Sequence, residues 1–418
     1  MKKSKYNFFY EYGDEYIAYN ARTNAMALVE SYDVKLFKEN FEKLSEEKKK
    51  EFEYGGFLIP DYVDELKTIK NNMFSARYNR NNLSLVIAPT LGCNFDCIYC
   101  FEDTQDDMTK MSKEIQEKVV EFVENNSRNI DNLNVTWYGG EPTLGLDIIE
   151  NLSKRFIEIC AEKNISYGAA IITNGYLVSQ KLCDIFKECK INQVQITIDG
   201  LEEEHNNRRP LKGGGKTFNK IVKGLHVLNE NKINVSLRVN IDKTNYKQYK
   251  KVVDFIKEEN LVECIKPYPG IVTPINEKYD VNDCININDK DKLRIEFSNM
   301  EYPILKSNFC GADHVNTYIV NSYGYLLSCW DEVGINSKAF ATLDENNIYN
   351  IENDRLSYML YDPTEDEYCK DCKVLPLCMG GCPYQRNNLR HDCAVEKENL
   401  EIKLKQYVDL NFSKNTAF

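Results

Sequence analysis

No apolar run in the 418 residues approaches the length of a membrane-spanning helix, and the lysine-rich start, Met1 to Asn7, lacks the apolar stretch of a signal peptide. Both absences predict a cytoplasmic protein with no membrane partner. Basic charge is also short: 53 Lys and Arg against 65 Asp and Glu leave a net charge of -12. That balance argues against a general nucleic-acid surface but permits docking of a basic or neutral peptide. Histidine is scarce, with four in the chain, so imidazole ligands are few. Cysteine is what the chain has in plenty, 15 residues, and in an intracellular-looking protein that favours metal or redox chemistry over a disulfide framework. At this length, and with 42% hydrophobic residues, two or three domains with real cores are expected.

The chain turns on residues 83–102. Leu85 to Ala88 is a short apolar run ended by Pro89, which reads as a buried strand. Directly after it come Cys93, Cys97 and Cys100, a C-x3-C-x2-C triplet on a loop containing Gly92. Three thiolates cannot complete a four-cysteine zinc site, and no histidine lies nearby to add a ligand. They can hold three irons of a [4Fe-4S] cube and leave the fourth open, since such cubes normally take four thiolates. Three ordinary buried cysteines are the alternative, but burial gives no reason for so tight a spacing at a strand-to-loop junction.

With Tyr99 just before its last cysteine, the triplet resembles the signature of the radical S-adenosylmethionine (SAM) superfamily. The resemblance implies that SAM chelates the open iron through its amino and carboxylate groups. One electron then cleaves it to methionine and a 5′-deoxyadenosyl radical, which abstracts a substrate hydrogen. Cys93, Cys97 and Cys100 would be the catalytic cluster ligands, and Tyr99 would lie against the cofactor.

Residues 1–80 read as a small module ahead of this loop. An aromatic and polar alternation over 8–12 and 16–19, joined by Gly13-Asp14-Glu15, predicts a β-hairpin, with a further strand at 26–30. Helices are expected at about 32–41, 46–52 and 64–75. The pattern is winged-helix-like. Being acidic, it suits peptide docking by strand addition better than DNA reading, and it resembles the leader-recognition element of enzymes that modify ribosomally made peptides.

From 83 to about 274 strands and helices alternate, as in a parallel α/β core. Strands are expected at 84–88, 134–138, 168–173, 193–198, 234–240 and 262–267, and helices at about 113–125, 146–163, 180–190, 218–231 and 246–258. The family resemblance implies an open, partial (β/α)6 barrel over 81–300, with reacting residues at the C-terminal strand ends. Trp137-Tyr138-Gly139-Gly140-Glu141-Pro142 follows the second strand, and the family's Gly-Gly-Glu-Pro motif contacts the SAM amino group, so Gly139, Gly140 and Glu141 carry over. Asn174 ends the third strand in a Thr-Asn-Gly turn that resembles a position near SAM, although such turns also occur for local reasons. Arg238 lies where the family puts an arginine near the SAM ribose and carboxylate; a guanidinium grips a carboxylate well, and a buried ion pair is the alternative. Residues 205–216, rich in glycine and basic side chains, read as a lid.

A second array follows: Cys310, Cys329, then Cys369-x2-Cys372-x5-Cys378-x3-Cys382, then Cys393. By spacing alone it could bind zinc or iron–sulfur. The seven-cysteine order resembles the SPASM extension, expected over 301–400 with a helix or tail at 401–418. The resemblance implies two auxiliary [4Fe-4S] clusters, one on Cys310, Cys329 and Cys382 and one on Cys369, Cys372, Cys378 and Cys393, making three clusters with the SAM-binding one. Three cubes need eleven cysteines, three plus eight, and the motifs supply ten, so one auxiliary iron is open or takes Cys284, His314 or another residue. Cys160, Cys183 and Cys189 read as core residues.

The expected function is modification of a ribosomally made precursor peptide, joining cysteine sulfur to a carbon, with the leader docked on 1–80 and electrons from a ferredoxin or flavodoxin. Anaerobic sulfatase maturation, which makes formylglycine, and carbon–carbon crosslinking are alternatives, as is a zinc-stabilised adaptor with no activity.

Overall fold

The computed structural model describes residues 1–100, 106–272, 279–280, 282–285, 310–343, 354–388, 393 and 396–411. They divide into two compact units, one within Met1–Tyr78, Ser298–His314 and Ser357–Phe418, the other within Asn79–Phe297 and Val315–Leu356.

In the larger unit, six parallel strands lie side by side in chain order: Asn82–Ile87, Asn132–Trp137, Ser166–Thr173, Ile191–Thr197, Asn234–Ile241 and Ile265–Ile271. Helices Lys113–Asn126, Leu146–Lys163, Gln180–Glu188, Phe218–Glu230 and Gln248–Glu258 return the chain between them. Their apolar stripes, such as Ile148, Ile149, Leu152, Phe156 and Ile159, bury against Val, Ile and Leu of the strands in one continuous core. Ser112 and Ser179 cap two of the helices, each accepting a hydrogen bond from a first-turn N–H, at Ile115 and Leu182.

The sheet is open, and the first strand is not its edge. Strand Thr317–Val320 pairs with it in parallel, and the short strands Tyr325–Leu327 and Ala341–Thr342 follow antiparallel, giving nine strands. The start of the expected SPASM extension, Val315–Leu356, therefore belongs to the same compact unit as the barrel strands. Cysteine spacing could not show this, because strands of two to four residues leave no periodic signal.

The smaller unit opens with a three-stranded antiparallel sheet, Asn7–Tyr12, Glu15–Asn20 and Ala25–Glu30, whose first turn is Gly13-Asp14 with Gly13 at φ +60°. Helices Ser31–Asn40, Glu46–Tyr54 and Glu65–Arg77 follow. Residues 1–78 share this compact unit with the carboxy-terminal segment. Tyr6, Ile17, Tyr19, Ile69 and Met73 share one core with Val374, Leu375, Leu377 and Met379 and with Leu400, Leu404 and Val408 of helix Glu396–Asn411. A second cluster, with Val34, Phe37, Phe52, Phe57 and Leu58, lies within the amino-terminal stretch itself.

Candidate active site

A cavity of about 550 Å³ opens at the C-terminal ends of the six strands. Every strand end contributes to it: Cys93, Cys97, Tyr99 and Cys100 after the first, Tyr138, Gly139 and Gly140 after the second, and Thr173 with Asn174 at the third. The fourth adds Gln195 and Thr197, the fifth Arg238 and Asn240, and the sixth Ile271 and Val272. Trp330 and Asp331 complete the wall from the added strands. Of the residues singled out from the sequence in this region, only Glu141 is not part of that wall.

Glu141 is fully buried and works from behind. One carboxylate oxygen accepts from the Thr143 N–H at 3.0 Å, from the Thr143 hydroxyl, and from the Thr173 hydroxyl at 2.7 Å; the other accepts from the Asn174 N–H at 2.7 Å. It thereby locks the third strand end to the second. Burial pushes its pKa up against the pull of these donors.

The glycine pair has a local reason as well. A Cβ on Gly140 would sit 2.2 Å from the Leu91 carbonyl oxygen, and one on Gly139, at φ +107°, 2.4 Å from that of Thr90. The second strand's loop presses directly on the backbone that carries the cysteines, and the Glu141 N–H donates to the Gly92 carbonyl at 2.9 Å. Asn174 adds a third tie, donating to the Asn94 side chain at 2.7 Å.

The expected lid over 205–216 is instead a buttress. Residues 202–208 are helical, and the following chain pairs with the cysteine loop: Asp96 N–H to Pro210 O at 2.9 Å, Ile98 N–H to Arg208 O at 3.1 Å, and Lys212 N–H to Asn94 O at 3.0 Å. Buried Arg208 lies between Asp199 at 3.2 Å and Asp242 at 2.7 Å, and a segment fixed by buried ion pairs does not open freely. Next to it, Arg209 lines the cavity and donates to the Tyr99 hydroxyl at 2.6 Å, which also accepts from Asn240 at 3.0 Å. The Tyr99 ring is thus fixed in the wall. Arg238 donates to Asn240 at 2.7 Å, in space kept free by Gly270, whose Cβ would lie 2.3 Å from the arginine Nε.

The three thiols fit a shared cluster. Burial pushes Cys93 up to about 12, with Glu141, Cys97 and Cys100 adding to the shift, and burial raises Cys97 too. Thiols so placed become thiolates only with a compensating cation, which bound iron supplies. Among the described residues no three His, Cys, Asp or Glu side chains converge tightly enough to share one metal ion. A cube makes no such demand, since each of its irons takes its own thiolate.

Sequence reasoning missed Arg209, Gln195, Trp330 and Asp331 as wall residues. Asp331, two residues after Cys329, has its pKa raised by burial and pulled back by Arg238. Trp330 packs its ring 5.2 Å from that of Tyr138. Their adjacency to a motif cysteine was the available signal.

The second array lies partly in the smaller unit, where Cys369, Cys372, Cys378 and Cys382 are half-buried and Cys310 and Cys393 exposed. Met379, Gly380 and Gly381 all have positive φ, so the chain between Cys378 and Cys382 coils tightly. Cys329, in the larger unit, is buried. Cys160, Cys183 and Cys189 are core residues, and Cys284 packs with Val272 and Tyr279 beside Tyr99.

The model of the radical SAM superfamily matches residues 87–256. The chain carries a radical SAM domain and is an enzyme of that kind, with SAM and [4Fe-4S] as cofactors. It is 25% identical over 374 residues to the cysteine-type anaerobic sulfatase-maturating enzyme of Clostridium novyi, covering 80% of this chain and 96% of the relative. It is 27% identical over 371 residues to the enzyme of the same name from Clostridium perfringens, covering 79% and 96%. Among solved structures, anSMEcpe with bound AdoMet and a peptide aligns with a TM-score of 0.58 at 23% identity, over 80% of this chain and 97% of that one. Streptococcus suis SuiB bound to precursor peptide SuiA aligns with a TM-score of 0.54 at 17% identity, over 93% and 97%. No helix among the described residues is long and apolar enough to cross a membrane.

Proposed function

We propose that this radical SAM enzyme modifies a peptide, and that the peptide is a ribosomally made precursor in which cysteine sulfur is joined to carbon. Bound at Cys93, Cys97 and Cys100, the cluster and SAM supply hydrogen-atom abstraction. The chain's own residues do the rest. Gly139, Gly140 and Asn174 set the cofactor wall, Arg238 offers a guanidinium to a carboxylate, and Trp330 and Asp331 face the same space. All six strand ends line the space in which that chemistry would take place. Seven of the ten motif cysteines, Cys310, Cys329 and Cys382 with Cys369, Cys372, Cys378 and Cys393, would hold two auxiliary clusters able to accept an electron, and a small reductant protein would supply the priming electron.

The observation that carries the reading is the amino-terminal sheet. Among the described residues its edge strand Ala25–Glu30 pairs only with Glu15–Asn20, and Leu28 on it is exposed, so a leader segment can add as a further strand. The maturase relatives align with 79–80% of the chain, whereas the precursor-peptide enzyme aligns with 93%. Sulfatase maturation is the second reading, favoured by the names of those relatives.

The test is mass spectrometry of a cysteine-containing precursor peptide incubated with reconstituted enzyme, SAM and dithionite. Loss of two hydrogens per crosslink supports thioether formation. Exchange of cysteine sulfur for an aldehyde oxygen on a sulfatase peptide supports the second reading. Absence of 5′-deoxyadenosine with any peptide would overturn both.

A further inference from the structure

Tyr361 has no part in the chemistry above, yet few side chains in the smaller unit are held more firmly. A Cβ on Gly380 would lie 2.6 Å from its ring, so the glycine at φ +85° between Cys378 and Cys382 is what lets the ring lie flat on the cysteine loop. The Arg386 guanidinium covers the ring at 4.1 Å from its centroid. Arg386 is itself anchored, to the buried Asp313 at 3.2 Å and to the Gly380 and Gly381 carbonyls at 3.2 Å. The hydroxyl of the ring so held has two neighbours, the Cys369 sulfur at 3.7 Å and a carboxylate oxygen of Asp366 at 3.1 Å.

We propose that Tyr361 is a positioning residue for the auxiliary cluster on Cys369, Cys372, Cys378 and Cys393, and that its O–H···S hydrogen bond to Cys369 raises that cluster's reduction potential. The inference rests on the cluster assignment made above. A ligating thiolate carries no proton, so the phenol is then the donor. Its single proton is shared between Asp366 and the sulfur. Reduction adds negative charge to the cluster and strengthens the bond to sulfur, so the reduced state is the one stabilised, and hydrogen bonds to the sulfurs are among the terms that set such potentials.

Neighbouring groups act in the same sense. The Lys397 ammonium lies 3.4 Å from the Cys393 sulfur. Among the described residues the hydroxyl of fully buried Tyr6 has no hydrogen-bond partner, and it lies within electrostatic reach of Cys372. An orphaned buried donor is costly, and negatively charged sulfur is an acceptor that would relieve it. Three of the four assigned sulfurs thus have a donor group near them.

The test is a redox titration of the full-length reconstituted holoprotein, followed by electron paramagnetic resonance, for wild type, Tyr361→Phe and Gly380→Ala. Phenylalanine keeps the clamped ring and removes the donor, so the midpoint of one auxiliary signal is expected to move to more negative potential at unchanged iron content. Alanine at Gly380 displaces the ring and is expected to shift the same signal the same way. An unchanged midpoint in Tyr361→Phe with full iron overturns the inference. Iron content left unchanged by Cys369→Ala would instead overturn the cluster assignment beneath it, so the two failures are distinguishable.

Discussion

Arg208 is 4% exposed and faces two carboxylates that are fully buried, Asp199 and Asp242. Removing the cation takes from buried Asp242 its paired arginine and leaves buried Asp199 with Arg209 alone. Arg208→Met is expected to lower stability by about 3–5 kcal/mol, read as a large drop in the thermal unfolding midpoint under anaerobic conditions. His205 gives a pH signature. Burial, with Arg209 adding to it, holds its pKa well below the usual value, while in the unfolded chain it titrates near 6.5. Its contribution is complete above that value and is lost as pH falls through it, because the unfolded chain then binds a proton the native protein refuses. The loss approaches about 1.4 kcal/mol per pH unit, and His205→Asn should flatten it in unfolding midpoints compared between pH 7.5 and 5.5. At this scale the cysteines were legible because ligand spacing is a local property. Arg209 and Asp331 were not, because what makes them wall residues is contact across the fold.

At the scale of elements, the loop after the second strand and the loop after the first are one construction. Gly140→Ala would drive a Cβ against the Leu91 and Gly92 carbonyls, at 2.2 and 2.5 Å, and backbone cannot move aside as a side chain can. The substitution is expected to displace the cysteine loop, with loss of iron from the SAM-binding site and of 5′-deoxyadenosine formation, measured by iron analysis and chromatography. The strands themselves were readable. The run 234–240 was expected and Asn234–Ile241 is found; the helix expected over 146–163 is found as Leu146–Lys163. Long amphipathic or fully apolar stretches carry their period with them. The stretch over 205–216 did not, since polar residues and glycines look like a free loop until buried carboxylates pair with its arginines.

For the whole molecule, the consequence of the shared core in the smaller unit is that the amino-terminal sheet is not a detachable accessory. A chain beginning at residue 79 would expose Val374, Leu375, Leu377, Met379, Leu400, Leu404 and Val408, an apolar surface that drives association. Such a truncation is expected to aggregate or lose iron, seen by size-exclusion chromatography with iron analysis. Loss of peptide binding alone, with the rest intact, would contradict that picture.

What the amino-acid order determined by itself is the chemistry: which cysteines stand at ligand spacing, which glycines stand at a strand end, and the six-fold alternation that makes a parallel core. These are local patterns, written within a few residues or a single helical period. The tertiary structure alone decided that Glu141 braces the site from behind, that residues 208–212 hold the cysteine loop, and that the extension's first strands continue the sheet. Each of those depends on two segments far apart in sequence burying surface or charge together, and no single segment contains both halves of the contact.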